Sequence, residues 1–433
     1  MAESFRYIEL QLVDILGRVK AMTIPSSPLN SLEELGTDTS FLNGTSIDGS
    51  SILGLASVEA SDLRLVPDPE SLVDLPYTKQ RTAAALCFVR DKIESEGQHY
   101  PKDCRGALHR VCEEHLPGSL SLKVKVEPEF SFITFEGEPY DDGGYADVYP
   151  AVPSSDILME IADAIQRMGM QPRVIHHEVG EAQQEIELDF EDVTVMADNI
   201  IRFKALARAI ALAHGIDVSF LPKPFAGSAG NGLHCHLQLW DGKKNLFGSE
   251  GTSNLSEKGE WFVAGLLAHS SALTAIANPS INSFKRLVPH HEAPVYKCWG
   301  PMNRTALIRE PLFSQPEKAA IEFRSPDPLA NPYLLFSAII ASGMDGINRQ
   351  LSPPSPISRD VFQLSEEKLR KLRVEMLPSS LDEAIDYLEN DKVIRDALGD
   401  HIFETYVKIK RKESEDYMRG SVTDWEWRRY QDI

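Results

Sequence analysis

Strict alternation of apolar and polar residues, in four segments far apart in the chain, constrains the fold more than any other feature. The segments are KVKVEPEFSF (123–132), QEIELDF (184–190), HCHLQLW (234–240) and AIEFRS (320–325). Successive side chains of a β-strand point to opposite faces, so each segment predicts a strand with one apolar face and one polar face. The apolar faces would form a core, and the polar faces would lie together if the strands share a sheet.

The residue types on the polar face favour a metal-lined cavity over a solvated surface. A solvated face mixes its charges, whereas this face concentrates carboxylates, which repel one another unless a cation lies between them. Oxygen ligands with an imidazole suit Mg²⁺ or Mn²⁺ better than a structural zinc ion. The residues concerned are Glu127, Glu129, Glu185, Glu187, His234, His236, Glu322 and Arg324. A half-exposed sheet with an ordinary polar face is the alternative for any one strand.

Four arginines fall within 39 positions of an otherwise acidic chain: Arg286, Arg304, Arg309 and Arg324. Surface ion pairs are the simplest explanation for any one of them. Arginines beside a divalent metal are also what phosphoryl transfer needs, because negative charge builds on the oxygens of the transferring group. The chain carries neither a GxxxxGK[ST] motif nor a protein-kinase signature, so a P-loop or kinase fold is not expected.

The overall charge and the cysteines limit the partners and the compartment. The formal net charge of −21 argues against a nucleic-acid or anionic-membrane partner, since phosphate surfaces would repel the chain. Five cysteines without a CxxC pair indicate free thiols in a reducing compartment. Neither a membrane span nor a secretion signal is predicted, so we expect a cytoplasmic protein.

The order of the elements predicts an α+β chain in two domains. The segment 5–25 predicts a β-hairpin around Leu16-Gly17-Arg18, and a loop is expected from residue 26 to residue 51. Helical periodicity recurs at 154–169, 192–214, 257–277 and 331–348, and a mostly charged helical segment covers 365–419. We therefore divide the chain into a β-rich N-terminal domain, 1–99, and a large α+β domain, 100–433.

A series of motifs, in order along almost the whole chain, resembles the glutamine synthetases, and among them the prokaryotic type I enzymes. The motifs include DGSSI (48–52), EPEF (127–130), HHEVGEAQQEIE (176–187), GNGLHCHLQL (230–239), NRTALIREP (303–311) and IEFRSPDPLANPY (321–333). No single motif would suffice, but their order and spacing together are specific.

The resemblance implies a fold, an assembly and a reaction. The fold would be an N-terminal β-grasp domain followed by a large catalytic domain with a curved antiparallel sheet and surrounding helices. The assembly would be two stacked hexameric rings, with each active site at a subunit boundary. The reaction would make γ-glutamyl phosphate from ATP and L-glutamate, and ammonia would then displace the phosphate to give glutamine. Two or three Mg²⁺ or Mn²⁺ ions would be needed in each site.

The resemblance also assigns metal ligands, position by position in the motifs. One ion would be held by Glu129, Glu178 and Glu185, and a second ion, facing ATP, by Glu127, His234 and Glu322. Both sets suit hard cations. His176 is expected to be a hydrogen-bonded partner rather than a ligand, and His177 to orient Glu178.

The same motifs assign residues to the substrates. His236 would contact the nucleotide phosphates, and Arg286 and Arg324 would hold the carboxylates of glutamate. Gly230 would let the backbone come close to the substrate. The transferring phosphoryl group would be neutralised by two further arginines, Arg304 and Arg309, of which Arg309 would also bind the nucleotide.

The ammonium pocket is expected to need a neighbouring subunit. Asp48 would reach into the neighbour's site and take a proton from ammonium, whose pKa lies well above neutral pH. Ser51 and Tyr149 would complete that pocket. Glu292, on a flap, would shield the reactive intermediate from water.

Two departures from the usual motifs leave the acceptor open. Ala229 stands where the family has an asparagine near the amino-acid substrate, and the flap reads Pro289-His290-His291-Glu292 in place of Pro-Gly-Tyr-Glu. A γ-glutamyl–amine ligase that uses a polyamine or another organic amine is therefore the alternative to the ammonia enzyme. A non-enzymatic homologue is a third interpretation, which the complete set of metal glutamates disfavours.

Overall fold

The computed structural model describes residues 4–91, 99–249, 254–289 and 293–420, together with residues 422, 423, 426, 428 and 429. Its strands form two sheets, a small one near the N-terminus and a large one that contains all four alternating segments. Helices surround the large sheet, so the architecture is α+β.

The small sheet has six strands. They are β1 Phe5–Val13, β2 Val19–Leu29, β3 Thr45–Asp48, β4 Asp62–Pro67, β5 Val73–Asp74 and β6 Thr82–Asp91. The strand order is β2-β1-β6-β4-β3, with β5 also paired to β6. β1 and β6 run parallel and the remaining pairs are antiparallel. The apolar side chains of this sheet form a core of their own, which includes Phe5, Leu10 and Leu65.

β1 and β2 form the predicted hairpin. The Asp14 carboxylate accepts hydrogen bonds from the backbone N–H groups of Leu16 and Arg18, both at 3.0 Å, which closes the turn. Gly17 has a φ of +80°, a left-handed conformation that favours glycine. The turn residues predicted from the sequence are therefore confirmed.

The loop predicted for residues 26–51 is wrong, because the segment is largely ordered into short elements. Two helices lie between β2 and β3, namely α1 Leu32–Gly36 and α2 Thr39–Leu42. Ser31 and Asp38 cap them by accepting hydrogen bonds from backbone N–H groups of the first turn. Leu35 and Phe41 are fully buried in the core of the small sheet. The polar residues that suggested a loop are helix caps, and the two apolar side chains order the segment.

The large sheet has nine strands. They are β7 Leu120–Ile133, β8 Pro172–His177, β9 Gln183–Asp192, β10 Asp217–Ser219, β11 Leu233–Asp241, β12 Lys244–Asn245, β13 Trp299–Pro301, β14 Ile308–Glu310 and β15 Ile321–Phe323. The order is β13-β14-β15-β11-β7-β9-β8, with β10 paired to β7 and β12 to β11. All pairs are antiparallel except β13 with β14.

Ten further α-helices lie between residues 104 and 420 in the described part of the chain. They are α3 Cys104–His115, α4 Ser155–Arg167, α5 Val193–Ala213, α6 Glu257–Ala277, α7 Ser283–Arg286, α8 Pro332–Arg349, α9 Glu366–Lys371, α10 Leu381–Glu389, α11 Lys392–Leu398 and α12 Asp400–Gly420. α4, α5, α6 and α8 agree with the four periodic segments. The charged segment 365–419 is helical as predicted, but it is divided into four helices.

One helix in the described part of the chain, α6, is long and apolar enough to cross a membrane. Its most apolar window is 83% buried inside the protein, as is usual for a core helix.

The apolar face of the large sheet forms the main core. Val124, Val126, Phe130 and Phe132 of β7 are completely buried. The Phe130 ring lies 5.4 Å from the Phe132 ring and 5.7 Å from that of Phe203 on α5, both in edge-on contact. The polar side chains of β7 must therefore point to the opposite face, as the alternation predicts.

Replacing Phe130 by Ala tests whether this face is the core. The change should lower the melting temperature, because Phe→Ala in a packed core costs about 3–5 kcal/mol. Phe135→Ala is the matched control, since Phe135 is 66% exposed, and surface changes usually stay within about 0.5 kcal/mol. Equal melting temperatures for the two variants would contradict the assignment of the core.

Candidate active site

Strand register brings the predicted ligands together on the polar face of the large sheet. Glu127 of β7 lies opposite His234 of β11, and Glu129 of β7 lies opposite Glu185 of β9. His176 of β8 in turn lies opposite Glu185. Directly opposed side chains of antiparallel strands are close neighbours, so four strands contribute to one cluster.

The other side of the cluster is built in the same way. Glu322 of β15 lies between His236 of β11 and Arg309 of β14. Arg309 Nη1 is 2.6 Å from Glu322 Oε2, and Arg324 Nη1 is paired with Glu322 Oε1. Burial raises the pKa of Glu322, but Arg324 and the nearby histidines outweigh burial and lower it to about 2. Glu322 is therefore an anion at neutral pH, although it is completely buried.

These strands form the wall of a cavity of about 600 Å³, a size suited to small-molecule substrates. The predicted site residues that line it are Glu127, Glu129, Glu178, Glu185, Gly230, His234, Arg286, Arg304, Arg309 and Arg324. Two more, Glu322 and His236, are buried and contact lining residues. The structure therefore unites acidic and basic residues that are spread over nearly 200 positions of the sequence.

Glu127, His234 and Glu322 form one group of possible metal ligands, and their donor atoms lie within 4.8 Å of one another. His234 Nδ1 is 3.5 Å from Glu127 Oε2 and 3.8 Å from Glu322 Oε1. Burial and the charge of Arg324 lower the pKa of His234, so the imidazole is neutral and can donate a lone pair. Two carboxylates and one imidazole fit Mg²⁺ or Mn²⁺.

A second acidic group lies beside the first. Donor atoms of Glu129, Glu185 and His234 lie within 4.8 Å of one another, and so do those of His176, Glu178 and Glu185. Burial, followed by the charges of Glu185 and Glu178, raises the pKa of Glu129 to about 8. These carboxylates repel one another, and a divalent cation between them would remove the repulsion. The donor chemistry of the trio predicted for the first ion therefore fits a hard cation.

Hydrogen bonds from the neighbouring turn hold Glu129 in place. Its Oε2 accepts from the backbone N–H of Gly232 at 2.8 Å and from Gln183 Nε2 at 2.9 Å. Gln183 Nε2 also donates to the carbonyl oxygen of Gly230 at 3.1 Å. A Cβ atom at Gly230 would lie 2.4 Å from the carbonyl oxygen of Pro222, so the tight turn requires glycine there.

The two neighbouring histidines support Glu178 and Glu185. His177 Nε2 donates to Asp141 Oδ1 at 2.9 Å, and its Nδ1 lies 2.6 Å from the carbonyl oxygen of Glu178. Burial lowers the pKa of His177, but the hydrogen bonds to Asp141 and to the Glu178 carbonyl, together with the charge of Asp141, outweigh burial and raise it. His176 Nε2 is 3.3 Å from Glu185 Oε1, and this contact is the main reason why the pKa of His176 rises to about 9. His176 Nδ1 is also 3.5 Å from Glu178 Oε1, so His176 contacts two predicted ligands as a cationic partner.

Arg286 is a structurally fixed part of the cavity wall. Its Nη1 donates to the carbonyl oxygens of Ser325 at 2.7 Å and Pro326 at 3.3 Å, and its Nη2 donates to that of Arg324 at 3.3 Å. Burial lowers the pKa of Arg286, and the negative charge of Glu129 opposes that change. Arg286 therefore places a positive charge between residues 324–326, which follow β15, and Glu129 of the acidic cluster.

Three predicted site residues do not line this cavity. Asp48 and Ser51 are exposed at the end of β3, where Ser51 Oγ donates to Asp48 Oδ2 at 2.9 Å. Tyr149 is 68% exposed. Hydrogen bonds from Ser50 and Ser51 lower the pKa of Asp48, so it is an anion. Glu292, predicted on the flap, lies outside the described residues, as do His290 and His291.

The sequence matches two family models, which cover most of the chain. They are "Glutamine synthetase, beta-Grasp domain" over residues 4–92 and "Glutamine synthetase, catalytic domain" over residues 101–430. The chain belongs to the glutamine synthetase family. The predicted family and the predicted enzyme class, a ligase of the glutamine synthetase type, are confirmed, and the matched β-grasp domain confirms the predicted α+β fold.

Curated relatives match this glutamine synthetase homologue over nearly its full length. It is 41% identical to "Glutamine synthetase" of Pyrococcus abyssi over 440 residues, which cover 98% of this chain and 96% of the relative. It is 40% identical to "Glutamine synthetase" of Methanocaldococcus jannaschii over 436 residues, with 98% and 95% covered.

Solved structures share its fold. A structure described as "GmaS/ADP complex-Conformation 1" superposes with a TM-score of 0.88 at 31% identity and covers 100% of this chain and 98% of its own. The cryo-EM structure of Plasmodium falciparum glutamine synthetase gives a TM-score of 0.84 at 23% identity, with 99% and 96% covered, which shows the fold alone.

The structure adds cavity residues that the sequence interpretation did not assign to a site. Gln183 links Glu129 to the Gly230 turn. Its position in the HHEVGEAQQEIE motif, two residues before Glu185, is the sequence signal that could have identified it. Tyr145 and Thr305 also line the cavity. The Tyr145 ring lies 5.4 Å from the His176 ring, a contact between distant segments that no local pattern reveals.

Glu129→Gln tests the acidic cluster as a cation site. Removing one charge from the trio should weaken Mn²⁺ binding at least about tenfold, as loss of a ligand or its partner typically does, and should abolish turnover. Glu191→Gln is the matched control, because Glu191 is exposed near the end of the same strand as Glu185. Titration calorimetry with Mn²⁺ measures the change, and unchanged affinity in Glu129→Gln would refute the assigned site.

Proposed function

We propose that the protein ligates ammonia to L-glutamate at the expense of ATP, through a γ-glutamyl phosphate intermediate, giving glutamine, ADP and phosphate. One observation carries the proposal: in a chain of the glutamine synthetase family, five glutamates, two histidines and four arginines of the predicted site converge on one cavity of about 600 Å³. The three groups of possible metal ligands would place divalent cations beside the arginines. Phosphoryl transfer to a carboxylate requires both kinds of positive charge.

In the first half-reaction, an oxygen of the γ-carboxylate of glutamate attacks the γ-phosphorus of ATP, and ADP leaves. Arg304 and Arg309 neutralise the charge that develops on the phosphoryl oxygens. Glu127, His234 and Glu322 would hold one Mg²⁺ or Mn²⁺ on the nucleotide side, with His236 against the phosphates. The bound ions, two or three in each site, supply charge neutralisation and orientation of the phosphate oxygens.

Glutamate is assigned to the part of the cavity lined by Arg286, Arg324 and Gly230. Arg286 and Arg324 attract its carboxylates, and the narrow turn at Gly230 brings the backbone close to the substrate. Glu129, Glu178 and Glu185 would hold the other ion near the γ-carboxylate. The two arginines are already fixed by contacts with backbone carbonyls or Glu322, so little side-chain freedom is lost on binding.

In the second half-reaction, the nitrogen of ammonia attacks the γ-carbonyl carbon, and the phosphate leaves with one former carboxylate oxygen. We assign Asp48 of a neighbouring copy to accept the proton of ammonium, with Ser51 and Tyr149 beside it. Support comes from their exposure and from their absence around the chain's own cavity. Glu292 is assigned to the flap that keeps water from the acyl phosphate.

We further propose an assembly of two stacked hexameric rings and a cytoplasmic location, without a nucleic-acid or membrane partner. The domains proposed from the sequence, 1–99 and 100–433, each contain one of the two sheets. The net charge of −21 and five free cysteines support the location and the choice of partners.

Product analysis with labelled glutamate tests this proposal. The full-length protein is incubated with ATP, Mg²⁺ and glutamate labelled with ¹⁸O in the γ-carboxylate, and with ammonium as acceptor. We expect glutamine by mass spectrometry and one ¹⁸O atom in each phosphate released, because the carboxylate oxygen is transferred with the phosphate. Glutamine without label in the phosphate would contradict the intermediate.

Parallel reactions with organic amines decide the acceptor, which Ala229 leaves open. Methylamine, ethanolamine and putrescine replace ammonium at equal concentration, and phosphate release is measured. We expect the highest kcat/KM with ammonium. Turnover with an organic amine but not with ammonium would establish the γ-glutamyl–amine ligase instead, and no turnover with any acceptor would favour a non-enzymatic homologue.

A further inference from the structure

Lys125 is a buried cation within the acidic face. It lies on β7, two residues before Glu127 and on the same face, and its side chain is only 7% exposed. Its Nζ is 2.9 Å from Glu127 Oε1 and is also ion-paired with Glu187 Oε1. Burying an ammonium group is costly unless it is paired, so both ion pairs are needed to hold Lys125 in its buried position.

Glu187 differs from the other glutamates that line the cavity. Glu127, Glu129, Glu178 and Glu185 each belong to at least one group of three possible metal ligands, but within the described residues no such group includes Glu187. Its charge is compensated by protein cations, since Lys125 Nζ and Arg173 Nη1 (3.1 Å) both contact its Oε1. A divalent ion is therefore not needed at this carboxylate.

The two oxygens of Glu127 have different partners. Oε1 lies 2.9 Å from Lys125 Nζ and 2.8 Å from His236 Nε2. Oε2 faces His234 Nδ1 at 3.5 Å, on the side of the possible metal ligands. Lys125 thus occupies one carboxylate oxygen and turns the other toward the metal group.

We propose that Lys125 is a positioning residue that acts as a built-in cation of the site. It holds Glu127 as a one-oxygen ligand and, together with Arg173, neutralises Glu187, so that the site takes two divalent ions and not three. The inference rests on the proposed metal-dependent function and makes its ion requirement specific.

Counting Mn²⁺ ions in the absence of nucleotide tests this inference without relying on turnover. The full-length protein is titrated with Mn²⁺, and free Mn²⁺ is followed by electron paramagnetic resonance. We expect two ions per chain in the wild type and three in Lys125→Met, because Glu127 and Glu187 then lose the ammonium group between them and Arg173 alone cannot balance both charges. Lys125→Arg keeps the charge and should keep two ions.

Two further variants serve as controls for charge and for packing. Lys123→Met removes an exposed lysine from the same face of β7 and should leave two ions. The double variant Lys125→Met/Glu187→Gln restores the charge balance and should also bind two. In Glu187→Gln alone, Lys125 pairs with Glu127 only, so the weaker of the two ions should bind about tenfold more weakly, as for loss of a supporting partner.

The outcomes separate this inference from the proposed function. Three ions in the wild type, or two ions with unchanged affinity in every variant, would overturn the role of Lys125 and leave the ligase proposal standing. Absence of Mn²⁺ binding in the wild type would overturn both. If Lys125→Met does not fold, the wild-type count and the affinity of Glu187→Gln still decide the question.

Discussion

Mutual repulsion among buried carboxylates is the constraint on which the rest of this structure depends. Several glutamates share one face of the large sheet, and burial raises the pKa of Glu129 to about 8. Such a face is stable only if cations balance it. Lys125 and Arg173 balance Glu187, and Arg309 and Arg324 contact Glu322. Glu322 and the other cavity glutamates also belong to the groups that fit divalent ions. The protein's own cations thus neutralise part of the negative charge of this face, and divalent ions from solution would neutralise the rest.

The apolar core on the opposite face of the same strands holds the charged side chains in place despite their repulsion. Val124, Val126, Phe130 and Phe132 alternate with the charged residues of β7 and are completely buried against the helices. A rigid core on one side keeps the strand register, and the register keeps like charges at the separations that a metal ion can bridge. Slippage by one residue would exchange the two faces, so the packing of the core and the chemistry of the site are specified together.

Much of this arrangement could be predicted because alternation is a local property of the sequence. The segments around Glu127, Glu185, His234 and Glu322 were recognisable as strands with one acidic face, and the family motifs supplied the roles expected of the residues. The link from Gln183 to Glu129 was not predictable, because it depends on which strands are neighbours. The loop predicted over residues 26–51 is wrong because helix caps and loops use the same polar residues. Asp48 does not line the chain's own cavity, and its proposed role depends on a second copy.

The central claim is that the acidic face is a divalent-metal site on which a nucleotide is held for phosphoryl transfer. A crystal or cryo-EM structure of the full chain with Mn²⁺ and ADP tests it most directly, with anomalous scattering to identify the manganese in a crystal. We expect one ion bound by Glu127, His234 and Glu322 next to the diphosphate, and another among Glu129, Glu178 and Glu185. ADP bound elsewhere, or a cavity without manganese while ADP is present, would contradict it.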